Sequence, residues 1–228
     1  MTNINVKIEE INNLSRIPVR VSDNPIFGVS KILLKDIKNE TDSIVFLKKY
    51  YENLSYSCLN DLYKTNLNTL SRFKYYEYFF PWIHTSPVTR YRDDAFITKI
   101  SEEEIVYKVK KVQSLIKSIS QNGYDPSKFP DRKNGNITGY FLKNEKKRSF
   151  YVVSGNHRVA VLSALGYENI PVSFEKVSFF KPRDWENFGL KEHLSVYDRK
   201  NVENWPGVSS GFMSKGEAVE IMERFLTV

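Results

Sequence analysis

The feature that most constrains this chain is the junction around Gly155. Ser149-Phe150-Tyr151-Val152-Val153 is rich in β-branched and aromatic residues, and Val159-Ala160-Val161-Leu162 with Ala164 and Leu165 suits a helix. Only Ser154-Gly155-Asn156-His157-Arg158 lies between them, so a strand must pass into a helix through one glycine-hinged corner. Upstream, 137–142 is a second β-rich run, separated from the first by the charged stretch 143–148, and the two predict a hairpin. Gly166 ends the helix, and Ile170-Pro171-Val172-Ser173-Phe174 resumes as a strand. Strands and helices alternating in this way predict an α/β (α+β) fold.

Around that unit the pattern is less regular. Ile17-Pro18-Val19-Arg20-Val21 and Val29-Ser30-Lys31-Ile32-Leu33-Leu34 read as short strands separated by the turn residues Asp23-Asn24-Pro25. From Thr41 to about Leu70 the apolar residues recur at mixed helical spacing, broken near Ser55-Tyr56-Ser57, which predicts two amphipathic helices. The aromatic run from Phe73 to Trp82 contains Pro81, which disfavours helix at Phe80, and is expected to be a packed connector rather than a platform for stacking a base. Ser101 followed by Glu102-Glu103-Glu104 is a helix start with a cap and acidic first turn. That helix continues through Val109, Val112, Leu115, Ile116 and Ile119 to a stop at Asn122-Gly123. Near the other end, Ser214-Lys215-Gly216-Glu217 is a capping-box pattern opening a last helix. The chain divides into an N-terminal extension, 1–99, a core, 100–176, and a tail, 177–228, that wraps it.

Charge and cysteine content narrow the function classes. The formal charge of +7 is carried by lysines interleaved with Asp and Glu, as in a moderately basic solvated surface rather than a nucleic-acid stripe. Cys58 is the only cysteine, which excludes an intrachain disulfide and a cysteine-based zinc cluster, suits a reducing cytoplasm, and is expected to be a small core residue. No segment reaches the ~20 apolar residues of a membrane span, and no export signal opens the sequence. A cytoplasmic protein with no membrane partner is expected. The three histidines, His84, His157 and His193, are far apart, so no metal site is assigned. No Walker A loop is present.

The Gly155 corner itself carries chemistry. It brings free backbone N–H groups and the positive end of a helix dipole to one point, which is the arrangement an anion requires. His157 and Arg158 add side-chain donors, and a guanidinium can grip phosphate through two parallel bonds. Ser154, Gly155, Asn156, His157 and Arg158 are therefore the candidate phosphate-binding residues.

The string from Val153 to Val172, with its Gly-Asn-His-Arg turn, Leu165-Gly166 helix end and Ile170-Pro171-Val172 strand, resembles the signature of the ParB/sulfiredoxin-like superfamily. Leu115-Ile116-Lys117-Ser118-Ile119, leading to Gly123 and Pro126, is similar to that superfamily's preceding helix. The resemblance covers roughly 100–175. It implies a mixed sheet with packed helices in which the turn binds the phosphates of ATP or another nucleoside triphosphate. Sulfiredoxins carry cysteine at the position of Asn156, so their thiolate chemistry is excluded here. Partition proteins carry Glu-Arg-Arg in the turn and a following helix-turn-helix, which 177–228 does not resemble.

The branch that fits resembles the free-serine kinases, which implies an ATP-dependent phosphotransferase acting with Mg²⁺ on a small hydroxyl-bearing molecule. Such a reaction needs a carboxylate to orient the attacking hydroxyl. Asp93, Asp94 and Glu104 are the candidates, with Arg90 and Arg92 beside the first two and His157 at the phosphate. The alternative from another class is a non-catalytic regulator whose nucleotide-bound state switches binding to DNA or to a protein partner.

Overall fold

In the computed structural model, residues 3–14, 20–74, 77–89, 100–126, 135–174 and 196–227 are described. The junction forms as the sequence predicts: strand β6 (Arg148–Ser154) passes through Gly155 into helix α6 (Asn156–Ala164). Strand β5 (Thr138–Lys143) pairs antiparallel with β6 as the expected hairpin, and β7 (Asn169–Phe174) follows α6. These strands lie in a mixed six-stranded sheet together with β1 (Asn3–Lys7), β2 (Ile11–Leu14) and β8 (Val196–Asp198). The order is β1-β7-β5-β6-β2. One edge of β5 is shared: β7 pairs with Thr138 and Gly139 at its start, and β8 takes Phe141 to Lys143 at its end.

The period of two along β5 and β6 separates two cores of different chemistry. Phe141, Phe150 and Val152 pack with Val29, Leu33, Val109, Val112, Val159 and Leu162, a mostly aliphatic layer. That layer is supplied by α1 (Pro25–Lys35), α2 (Glu40–Glu52), α5 (Glu102–Asn122) and α6. Tyr140, Leu142 and Tyr151 face the other way, onto Phe80, Trp82, Tyr197, Trp205 and Phe225. Tyr140 stacks on Tyr151 with ring centroids 5.0 Å apart, and Trp82 Nε1 donates to the Tyr140 hydroxyl at 3.2 Å. Between α2 and α5 run α3 (Leu59–Tyr63), α4 (Asn68–Ser71) and the short pair β3 (Glu77–Tyr78) and β4 (Val88–Thr89). After β8 come α7 (Pro206–Ser209) and α8 (Lys215–Thr227), and α8 closes the aromatic face against β5, β6 and β2.

Several local readings hold. The aromatic connector is core: Phe79, Phe80 and Trp82 are buried, and no ring of Trp82 is left for a base to stack on. Ser101 Oγ accepts the N–H of Glu104 at 3.2 Å at the start of α5, and Gly123 ends it with φ +69°. Ser214 and Glu217 form their capping box at the start of α8. Among the described residues no helix is long and apolar enough to cross a membrane.

Others are corrected. Residues 29–34, expected as a strand, lie in helix α1. Asn24 Oδ1 accepts the N–H of Ile26 at 2.8 Å and Pro25 occupies the first turn, so the expected turn residues are a helix cap. Ile26, Val29, Ser30 and Leu33 then share the buried face at helical spacing. Of the strand expected at 17–21, Arg20 makes an isolated bridge to Asn12, Val21 opens a 3-10 turn, and the rest lies outside the described residues. The strands of this region are instead β1 and β2, which pair with β7 and β6. Cys58, expected in the core, is only half-buried at the N-cap of α3.

Candidate functional site

Gly155 adopts φ +92° and ψ 16°, a left-handed conformation that disfavours any side chain. A Cβ there would lie 2.9 Å from Ile137 Cγ1 and 3.1 Å from the Asn136 carbonyl oxygen. Both demands select glycine and press the corner against the lead-in to β5. The first bond of α6 runs from the Val159 N–H to the Gly155 carbonyl at 3.0 Å. The N–H groups of Asn156, His157 and Arg158 therefore precede the helical ladder, no side chain caps them, and no acidic residue lies in the first turn.

Positive charge gathers at this helix start, from Arg158 and from the lysines of α5. Arg158 is half-buried, and among the described residues it has no carboxylate partner. Burial holds its pKa below the usual guanidinium range, while the neighbouring Tyr124 acts in the opposite direction. Tyr124 donates its hydroxyl to the Gly135 carbonyl at 2.9 Å, and burial pushes its pKa up to about 12. His157 is brought down to about 3, first by burial and then by the positive charges of Lys111, Lys108 and Arg158. It is a neutral imidazole at physiological pH, with its Nε2 screened from solvent and lacking a hydrogen-bond partner. Asn156 Oδ1 is likewise screened and unpartnered. Two orphaned polar atoms on consecutive residues at an uncapped helix start fit a site completed by a ligand.

Lys108 and Lys111 come from α5, which packs against α6, and were not among the residues singled out from sequence. A signal was present: Ile105, Val109, Val112 and Ile116 form the buried face of α5, and Lys108 lies within it, only 9% exposed. A lysine interrupting a buried stripe is held there by something polar. Part of the explanation is Glu104, whose Oε1 lies 3.6 Å from Lys108 Nζ, one turn away. Glu104 is thereby linked through Lys108 to the α6 start.

Asp93 and Asp94, with Arg90 and Arg92, lie outside the described residues, as does His193. Ser154 ends β6 opposite Thr138, immediately before the corner. His84 is structural: it is buried, and its Nδ1 accepts the Phe80 N–H at 3.0 Å. Among the described residues no group of three His, Cys, Asp or Glu side chains converges as metal ligands would. The corner 154–158 thus gathers with Lys108, Lys111 and Tyr124, and Glu104 is the one candidate carboxylate whose position is described. Compared with protein-family models, with curated proteins and with solved structures, the chain finds no match in any of the three.

Proposed function

We propose that the corner 154–158 binds the phosphates of a nucleotide, and that the protein is an ATP-dependent phosphotransferase acting on a small hydroxyl-bearing molecule. The observation that carries this reading is the half-buried Arg158, without a carboxylate partner among the described residues, beside a helix start that no side chain caps. An uncompensated guanidinium taken partly out of water is costly, and an anionic ligand offsets that cost. The motif's resemblance to the ParB/sulfiredoxin-like superfamily supplies the nucleotide and the phosphoryl acceptor.

In this reading the N–H groups of Asn156, His157 and Arg158 point at phosphate oxygens, and Arg158 grips one phosphate through two parallel bonds. His157, neutral, donates one N–H rather than a full charge, so it orients a phosphate without holding it too tightly to leave. The orphaned Nε2, the orphaned Asn156 Oδ1 and the tight Gly155 corner fit a bound phosphate group. Mg²⁺ arriving with the nucleotide would take most of its ligands from phosphate oxygens and water, with one or two carboxylates added. In this reading Glu104 would be one of them or would orient the acceptor hydroxyl, once its contact with Lys108 is exchanged.

That contact also favours the alternative reading. With Glu104 neutralised by Lys108, the site holds and senses a phosphate without a free base, as a nucleotide-switched regulator of DNA or protein binding does. Isothermal titration calorimetry with ATP, ADP, CTP and GTP in Mg²⁺ tests the shared premise. Selective binding, weakened about a hundredfold in Arg158→Ala while thermal stability holds, is expected. Unchanged affinity in a folded R158A protein overturns the phosphate assignment. Phosphate transfer from bound nucleotide to a panel of hydroxylated metabolites then selects the kinase. Duplex DNA binding that needs nucleotide and falls steeply with salt selects the regulator.

A further inference from the structure

The lead-in to β5 forms the wall behind the Gly155 turn, and it is tied down from two sides. On one side the Ser173 N–H of β7 donates to the Ile137 carbonyl at 2.9 Å. On the other the Tyr124 hydroxyl donates to the Gly135 carbonyl at 2.9 Å, and the Ile137 N–H bears on the same phenol oxygen. Gly135, Asn136 and Ile137 are all buried. The turn rests on these residues: a Cβ at Gly155 would lie 2.9 Å from Ile137 Cγ1, 3.0 Å from Ile137 Cα and 3.1 Å from the Asn136 carbonyl oxygen. Packing this close leaves no slack, so a small shift of 135–137 is passed on to the backbone of the turn. Tyr124 itself stands directly after the stop of α5, where the Gly123 N–H donates to the Ile119 carbonyl at 2.9 Å. A half-buried phenol with only two torsions to fix reaches from that helix end to Gly135 as a rigid arm. It passes near Arg158, since phenol and guanidinium each act on the other's protonation.

We infer that Tyr124 is a positioning residue for the phosphate corner: its hydroxyl holds 135–137 where that segment fixes the Gly155 turn, and so directs the N–H groups of Asn156, His157 and Arg158 toward one point. This rests on the phosphate reading of the α6 corner. It adds that the direction of those groups is set from the end of α5, by a residue outside the motif. Without the hydroxyl, the buried Gly135 carbonyl loses that donor and the segment relaxes away from Gly155. Several N–H groups hold one anion only while all are aligned, so a small change of direction is read as lost affinity.

The test is calorimetry on the full chain with pyrophosphate, which presents the linked phosphoryl groups that the nucleotides share, at a temperature where every variant is folded. Tyr124→Phe deletes one oxygen and keeps the ring, and should weaken pyrophosphate binding roughly tenfold. In the ligand-free protein the amide NMR signals of Gly155 to Arg158 should move in Y124F. Tyr63→Phe is the control. The Tyr63 hydroxyl also bonds backbone, accepting the Phe79 N–H at 3.0 Å and donating to the Phe79 carbonyl at 3.1 Å, but on the aromatic face. Its loss should lower stability, change pyrophosphate affinity less than about twofold and leave the corner signals in place. The role of Tyr124 is refuted if Y124F binds as the parent protein does, if its corner signals stay where they were, or if Y63F loses as much affinity. Should Arg158→Ala abolish binding in that case, the phosphate corner survives. If the parent protein does not bind pyrophosphate, the corner and the inference fall together.

Discussion

At the start of α5, Ser101 Oγ accepts the Glu104 N–H and Glu102, Glu103 and Glu104 fill the first turn, whereas at the start of α6 a glycine stands at the cap and Asn156-His157-Arg158 follow. The start of α8 resembles that of α5, since Ser214 and Glu217 bond each other's backbone N–H groups. A helix start leaves N–H groups and a partial positive charge unanswered, and α5 and α8 answer both from within the chain. The α6 start answers neither and adds cations. Internal capping is the economical solution for a helix that only has to be stable, so an uncapped start surrounded by positive charge is the place to look for a ligand.

The difference between the two starts can be broken or sharpened experimentally. The largest effect concerns His157. Its pKa in the folded protein, about 3, lies below its ordinary value of 6.5. The unfolded chain therefore binds a proton that the folded chain refuses. The stability this neutral residue contributes is fully present above pH 6.5 and is lost as pH falls toward 3, by about 1.4 kcal/mol per unit. Denaturant titrations from pH 7 to pH 4 should show a steeper loss in the parent protein than in His157→Gln. Equal slopes would mean that His157 is not excluded from water as described. Saturating phosphate should flatten the parent's slope, because an anion at the corner offsets the charges of Lys108, Lys111 and Arg158.

Next in size is Gly155→Ala, expected to cost about 2 kcal/mol because the left-handed backbone and the contacts with Ile137 and Asn136 are both offended. Chemical denaturation measures it, and nucleotide binding should be lost with the corner's shape. The smallest is Ser101→Ala, about 1 kcal/mol of stability with no change in ligand affinity. A weakened affinity in S101A would show that the α5 start also takes part in binding, and the contrast between the two helix starts would fail.

Much of this was readable because the signals are local. The hairpin, the Gly155 corner, the Ser101 cap and the Ser214–Glu217 box each depend on a few neighbouring residues, and each forms where expected. Residues 29–34 differ from the expected strand because a short run with four aliphatic residues in six suits either a strand or a buried helix, and Asn24-Pro25 is chemically both a turn and a helix start. β1 and β2 were not recognised because Asn-Ile-Asn-Val-Lys and Ile-Asn-Asn-Leu have little intrinsic preference for strand. They are strands because the edges of β7 and β6 leave unpaired backbone groups for them to satisfy.

The candidate site divides along the same line. The corner 154–158 was legible because a tight turn, a missing cap and two basic residues are adjacent in the chain. Lys108 and Lys111 were not, since they are some forty residues upstream and come to the corner only through the packing of α5 on α6. Sequence alone determined that this chain has an uncapped, glycine-hinged helix start bearing Asn156, His157 and Arg158, because backbone geometry and capping act over a single turn. Only the tertiary structure decided that His157 is neutral with its Nε2 screened from solvent, that Arg158 lacks a carboxylate partner among the described residues, and that α5 adds its lysines. Desolvation and Coulomb interactions depend on distance in space, and a lysine's position in the sequence carries no record of which helix start it will face.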